Sequence, residues 1–329
     1  MTYTSIGKII KGVGGLYEIK LSSLDEHPLA GKTVVCRARG LLRYNGISPL
    51  VGDNVTVNYD DSSFSVADGS CTPSKDGRGI VIKGITERKN SLIRPPIANL
   101  DVMFVVMATA SPAPILETVD KLISIAEFND IEPVIIIDKS DLDKEKASEL
   151  KDIYQKAGFT VFVTSNLDAR TVEPLKEYIN TQLDKKTAAF AGASGVGKST
   201  LMNTLFPNLD LAIGEVTKKT ERGKHTTRHV ELFKINDHLD CGYIADTPGF
   251  TMLDFAEFDF FSKDDLPYTM REFRELIGKC KYTKCSHTKE DGCAILASLE
   301  RGDISKSRHE SFLSMYETLK NKPAWEKRQ

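Results

Sequence analysis

The chain has 329 residues, enough for two or three domains with a substantial core, and its 40 % apolar and 27 % charged residues are the balance of an ordinary soluble globular protein. Its 44 basic and 46 acidic side chains leave a net charge of −2, so any nucleic-acid surface has to be local. The start "MTYTSIGKIIKGVGG" has no apolar signal-peptide core, and runs such as "VMFVVMA" are far too short to span a bilayer, so the expected location is the cytoplasm, with no membrane partner.

Residues 1–85 read as short strands. "GKIIKGVGGLYEIKL", "KTVVCRARG", "VGDNVTVNYD" and "RGIVIKGI" carry β-branched residues and alternation, broken by Gly, Asn and Asp. Five strands at this length predict a small OB-fold β-barrel, which either binds RNA on one face or braces its neighbour. "ERKNSLIRPPIANL" is a basic, Pro-containing connector.

Strands and helices then alternate. "DVMFVVMAT", "EPVIIID", "FTVFVTS" and "TAAFAGAS" predict strands. "PILETVDKLISIAEFND", "KEKASELKDIYQKAG" and "VEPLKEYINTQL" predict helices. The pattern is a parallel sheet of βαβ units with right-handed crossovers, over 86–262. "VELFKI" and "GYIAD" close the sheet, after a polar, basic segment that reads as a mobile loop. Residues 263–329 read as helical and cysteine-containing.

"GASGVGKS", Gly192–Ser199, satisfies G-x-x-x-x-G-K-[ST] after a predicted strand and before a predicted helix. Backbone N–H groups of Gly192, Ala193, Ser194, Gly195, Val196 and Gly197 are expected to turn toward the phosphates of GTP or GDP, with Thr200 adding to the same helix start. Lys198 is expected on the β- and γ-phosphates, and the Ser199 hydroxyl on Mg²⁺. "DTPG" ends a strand, so Asp246 is expected to hold Mg²⁺ through its water shell and Gly249 to meet the γ-phosphate. In "KHTTR", either Thr226 or Thr227 completes the Mg²⁺ shell when a γ-phosphate is present, which makes the loop a switch.

"DKSD", Asp138–Asp141, is similar to the guanine-reading N-K-x-D. Asp141 can accept from guanine N1 and N2, Lys139 can lie along the base, and Ser140 lies between them. Asp138 stands where Asn is usual; when ionised it only accepts hydrogen bonds, which predicts weaker guanine binding. Thr164 and Ser165, in "TSN", supply a second base contact. The base reader precedes the phosphate loop, so the order is that of a circularly permuted P-loop GTPase. Phe250 follows D-x-x-G where many GTPases carry a water-orienting Gln, so His225 is the expected catalytic substitute.

"CKYTKCSHTKEDGC" has the spacing C-x₄-C-x-H-x₅-C. Cys280, Cys285, His287 and Cys293 form a closed set suited to one structural Zn²⁺. Lys279, Lys281, Lys284, Lys289 and Tyr282 around it form an RNA-facing surface or a solvated one. Cys36, Cys71 and Cys241 are scattered and read as incidental thiols.

These motifs together, with "ERKNSLIRPPIANLD", closely resemble the RsgA (YjeQ/YloQ) family over essentially the whole chain. The resemblance implies three domains: an OB-fold RNA-binding barrel, a circularly permuted GTPase domain and a C-terminal helical zinc-binding domain. It implies a monomeric GTPase that acts in late maturation of the 30S ribosomal subunit, contacts 16S rRNA near the decoding region, hydrolyses GTP when the subunit stimulates it and then leaves. It also supports His225 as the catalytic group. Two alternatives compete: an rRNA-bound scaffold that barely turns GTP over, and a P-loop ATPase.

Overall fold

The computed structural model describes residues 2–23, 27–38, 48–67, 70–74, 79–207, 230–236, 242–246 and 261–321. By their contacts they form two compact units. The first begins with β1 (Thr2–Val13), β2 (Leu16–Leu21), β3 (Thr33–Ala38), β4 (Asn54–Asp60), β5 (Phe64–Ala67), β6 (Ser70–Pro73) and β7 (Val81–Ile85). β1 pairs antiparallel with β2, and β2 with β3. β3 runs parallel to β7, β7 antiparallel to β4, and β4 returns to β1. This ring is a closed five-stranded OB-like barrel. The long β1 makes closure possible: Thr2–Lys8 pairs with β4, the half from Gly7 pairs with β2, and a register shift between Ile9 and Lys11 bends the strand. Alternation decides the inner face; Val55, Val57 and Tyr59 of β4 are buried. The β5–β6 hairpin is an addition that the sequence reading did not contain.

The basic connector is itself built into this unit. Arg88 reaches the buried Asp53 with Nε at 2.7 Å and Nη2 at 2.8 Å. Asn90 exchanges two hydrogen bonds with the Leu100 backbone, at 2.9 and 3.0 Å. Asn99 accepts from the Lys89 N–H and donates to the Gly52 carbonyl. The short strands β8 (Ser91–Leu92) and β9 (Ile97–Ala98) pair between these ties.

The second unit carries β10 (Val102–Ala108), β11 (Glu132–Asp138) and β12 (Thr160–Val163), all parallel. Every residue of β10 is buried, as a strand covered on both faces requires. α1 (Leu116–Phe128) and α2 (Lys144–Lys156) make the crossovers, and α3 (Ala169–Gln182) follows β12. Asp143 caps α2 by accepting from the Lys146 N–H at 2.8 Å. β10 and β11 finish in register at Ala108 and Asp138, so the loops beyond them emerge at one edge of the sheet.

β13 (Thr187–Ala191) leads to α4 (Lys198–Leu205), and the C-terminal part adds α5 (Leu266–Thr269), α6 (Ala294–Glu300) and α7 (Lys306–Lys320). Of these, α5 and α7 pack on α1. Arg308 of α7 is fully buried and pairs with Asp120 at 2.6 Å and Glu272 at 2.8 Å. Arg271 bridges Glu127 at 2.6 Å and Glu132 at 3.0 Å. Phe273 and Phe312 meet edge to face beside them.

The first unit is completed by Leu183–Ala189, β14 (Glu231–Lys234) and β15 (Tyr243–Asp246). β13 is parallel to β15, β15 antiparallel to β14, and β14 meets β1. Lys11, Glu231 and Asp246 therefore occupy one row across three strands, and Lys11 pairs with Glu231 at 2.8 Å.

Candidate nucleotide and metal sites

The glycines of the phosphate loop are needed for two close approaches. Gly192 has φ 145°, and a Cβ there would lie 2.2 Å from the Val106 carbonyl oxygen. Gly197 has φ 108°, and a Cβ there would lie 2.2 Å from Asp138 Oδ2. Neither conformation nor space admits a side chain. α4 starts directly after Gly197, so its free N–H groups and dipole face the loop. Lys198 donates to the carbonyls of Gly192 at 2.8 Å and Ala193 at 2.7 Å. Burial lowers its pKa to about 8. Ser199 and Thr200 lie at the start of the helix, Thr200 exposed.

The loop that carries "DKSD" leaves the end of β11 and touches the Gly192–Ser199 loop directly. Lys139, at φ 58°, donates from Nζ to the Gly195 carbonyl at 2.7 Å and also to the Ser111 carbonyl. Thr109 holds the Lys139 carbonyl at 2.6 Å. Asp138 is fully buried. Its Oδ1 accepts from Thr164 Oγ1 at 2.8 Å and its Oδ2 from Asn166 Nδ2 at 3.1 Å. Burial raises its pKa, with the Thr164 hydrogen bond opposing. Asp141 accepts from Ser165 Oγ at 2.5 Å, and the Ser140 N–H binds the Thr164 carbonyl. The Ser165 N–H is given to Thr171 Oγ1 at 2.8 Å. A cavity of about 540 Å³ opens beside Asp141 and Ser165, walled by Lys144, Val163, Leu167 and Thr171.

The structure thus brings Asp138, Lys139 and the Gly192–Lys198 loop together, with Asp141, Thr164 and Ser165 on the same loop edge. Asp246 ends β15; its side chain, His225, Thr226, Thr227, Gly249, Phe250 and Cys241 lie outside the described residues. Sequence reasoning missed Asn166 as a partner of Asp138. The signal was present: an amide directly after Ser165, in the turn that follows the strand next to a motif that lacks its amide.

Near the C-terminus, the ligand atoms of Cys280, Cys285, His287 and Cys293 all lie within 4.8 Å of one another. Cys280 and Cys293 sulfurs are each 3.6 Å from His287 Nδ1 and 3.9 Å from each other. Four ligands around Zn²⁺ at about 2.3 Å would put sulfurs about 3.8 Å apart, so the donor set fits a tetrahedral zinc ion. Burial pushes the Cys285 thiol up to about 12 and raises Cys293, while burial lowers His287. A divalent cation reverses the thiol shift and needs the imidazole neutral, the form that burial favours. Glu290 fixes the loop that carries the ligands. It accepts from the N–H groups of Ser286, Thr288 and Lys289, at 3.0, 3.0 and 3.1 Å, and from the Ser286 hydroxyl. Burial alone would raise this carboxyl; the Ser286 and backbone hydrogen bonds outweigh it and hold the pKa at about 2.

A base-reading loop seated on a phosphate loop that follows it in the chain, at one edge of a parallel sheet, defines a circularly permuted GTPase, an enzyme that hydrolyses GTP. The family model described as RsgA GTPase matches residues 85–256, and the one described as RsgA N-terminal domain matches residues 6–66. The chain belongs to the RsgA GTPase family. It is 38 % identical over 320 residues to small ribosomal subunit biogenesis GTPase RsgA 2 of Listeria monocytogenes, covering 96 % of this chain and 98 % of that one. It is 36 % identical over 321 residues to the RsgA of Bacillus subtilis, again covering 96 % and 98 %. YjeQ from Thermotoga maritima superposes with a TM-score of 0.76 at 28 % identity, covering 98 % of this chain and 100 % of that one. YloQ, a circularly permuted GTPase, superposes with a TM-score of 0.71 at 32 % identity, covering 98 % and 97 %.

Proposed function

We propose that this GTPase binds the small (30S) ribosomal subunit, acts in its late maturation, and hydrolyses GTP to GDP and phosphate to time its own release. The observation that supports the reading is the Lys139 bridge to Gly195, which holds the "DKSD" loop against the Gly192–Ser199 loop, as a single nucleotide read by both would require. The relatives, named small ribosomal subunit biogenesis GTPases, supply the subunit as partner. In this reading Asp141 takes guanine N1 and N2, Lys139 lines the base, and Lys198 meets the β- and γ-phosphates. Ser199, Asp246 and one of Thr226 and Thr227 would hold Mg²⁺, which neutralises the phosphate charge when bound. His225 orients the attacking water, the task that Phe250 cannot perform.

The domains are 1–85, 86–262 and 263–329, with the barrel and the zinc region as the arms on 16S rRNA. The protein works as a monomer in the cytoplasm; among the described residues no helix is long and apolar enough to cross a membrane. The zinc is structural, since four protein ligands leave no open position.

The test is phosphate release with and without purified 30S subunits, beside pull-down of subunits with a non-hydrolysable GTP analogue and with GDP. Strong stimulation and preference for the analogue are expected. Phe250 favours a second reading, a scaffold that uses GTP only as a conformational ligand; flat, negligible turnover in both conditions would establish it in place of the first.

A further inference from the structure

Position 138 holds a carboxylate where a guanine reader of the N-K-x-D kind holds an amide. The substitution has two physical costs. A carboxylate sealed from water needs donors on both oxygens. It also places a negative charge against Gly197, in the loop built to receive phosphates, where only the absence of a Cβ lets Oδ2 approach. Both donors come from the end of the neighbouring strand. Thr164 serves Oδ1 at 2.8 Å, and the Asn166 side-chain amide serves Oδ2, the oxygen against the phosphate loop, at 3.1 Å. Asn166 also has its Oδ1 3.4 Å from the Thr204 hydroxyl of α4. One side chain thus spans the base-reading residue and the phosphate-loop helix.

We propose that Asp138 and Asn166 are an exchanged pair: the amide missing at 138 is supplied from 166, and the two together position the base-reading loop on the phosphate loop for guanine nucleotide. Both are positioning residues, and neither touches the transferred phosphoryl group. The pair explains how a buried acid is tolerated at the seam of the site. It also changes the meaning of Asp138→Asn. The charge is removed, yet Thr164 and Asn166 can still bond an amide, since the Thr164 hydroxyl can accept as well as donate. Asn166→Ala does the opposite: it keeps the charge and strips Oδ2 of its donor.

The inference rests on this site being the guanine-nucleotide site, so the experiment measures GDP and ATP binding to the full chain without ribosomal subunits. Asn166→Ala, Asp138→Asn and the double variant are titrated with fluorescent GDP, and their dissociation rates are followed. Asn166→Ala is expected to weaken GDP on the order of 10- to 100-fold, the effect of leaving a buried charged acceptor unpaired. Adding Asp138→Asn is expected to return affinity to within about threefold of wild type. Rescue of a loss by a second substitution is a signature that general destabilisation does not produce. Asn166→Asp, which sets like charges face to face, should be worse than Asn166→Ala and should also be rescued by Asp138→Asn. An equal cost of Asn166→Ala with and without Asp138→Asn, or no cost in either case, overturns the pair. Wild-type chain that binds ATP and not GDP overturns the guanine site itself.

Discussion

Removal of Arg308 gives the most direct measure of how the C-terminal helices are fastened to α1. Its guanidinium is buried and donates from Nη1 to Asp120 at 2.6 Å, from Nε to Glu272 at 2.8 Å and from Nη2 to Glu272 at 3.1 Å. Tyr154 adds its hydroxyl to Asp120 at 3.1 Å. Arg308→Met keeps much of the stem volume and leaves two carboxylates facing each other out of water. Breaking a buried pair from one side costs about 3–5 kcal/mol, which corresponds to a melting point lower by about 10 °C for a unit of this size.

The loss should depend on pH. Burial already holds the Asp120 carboxyl above its ordinary value against the pull of Arg308, and without Arg308 it rises further. A carboxyl that titrates higher folded than unfolded keeps more protons in the folded chain between those two values, so stability falls as pH rises through that window. Arg308→Met should therefore lose most near pH 8 and clearly less near pH 5. The variant with Asp120→Asn and Glu272→Gln added should regain much of the loss at pH 8. Thermal and urea unfolding followed by circular dichroism give the values. A loss below about 1 kcal/mol, or one that is the same at both pH values, would refute the electrostatic reasoning, since surface pairs behave that way.

The Lys198 ammonium has its pKa lowered by burial to about 8, and phosphates will restore its charge, so GDP binding must take up a proton above that pH. Affinity should fall about tenfold per pH unit beyond it, and a flat titration from pH 7 to 9.5 contradicts this. Gly197→Ala places a methyl group 2.2 Å from Asp138 Oδ2, and equilibrium binding should show GDP affinity down by more than about tenfold in a chain that still folds. Metal analysis should find one zinc per chain, lost in Cys285→Ser; retention of full zinc by that variant would exclude the four-ligand set. Glu290→Gln should loosen the same loop, read as faster zinc transfer to a chromophoric chelator, because its anion organises three N–H groups.

The parts of the molecule that were legible in the sequence are those whose physics is local. The run "VMFVVMA" must be buried on both faces, and β10 is. The three cysteines and one histidine between Cys280 and Cys293 are too close in sequence to serve separate purposes, and their ligand atoms converge. The loop at Gly192–Ser199 announces itself because its whole spacing fits within eight residues, although the close approaches of Gly192 to Val106 and of Gly197 to Asp138 show only in the fold. What stayed hidden depends on partners far along the chain. Arg308 in "KSRHESF" reads as a solvated helix residue, and only the fold reveals Asp120, 188 positions earlier, opposite it. Asn166 and Glu290 read as loop polar groups until the atoms that they bond are known. The basic connector reads as a spacer because the ties that pin it, Arg88 to Asp53 and Asn99 to Gly52, join residues tens of positions apart.

The row of Lys11, Glu231 and Asp246 has a mechanical meaning. The barrel's first strand is laced through β14 to the strand that delivers the acidic end of D-x-x-G, with main-chain bonds all the way and no slack tether between. A pull or twist on the barrel arrives at the Asp246 backbone within two strand widths. Strain on the barrel and the position of the Asp246 backbone are, within this unit, two ends of one short lever.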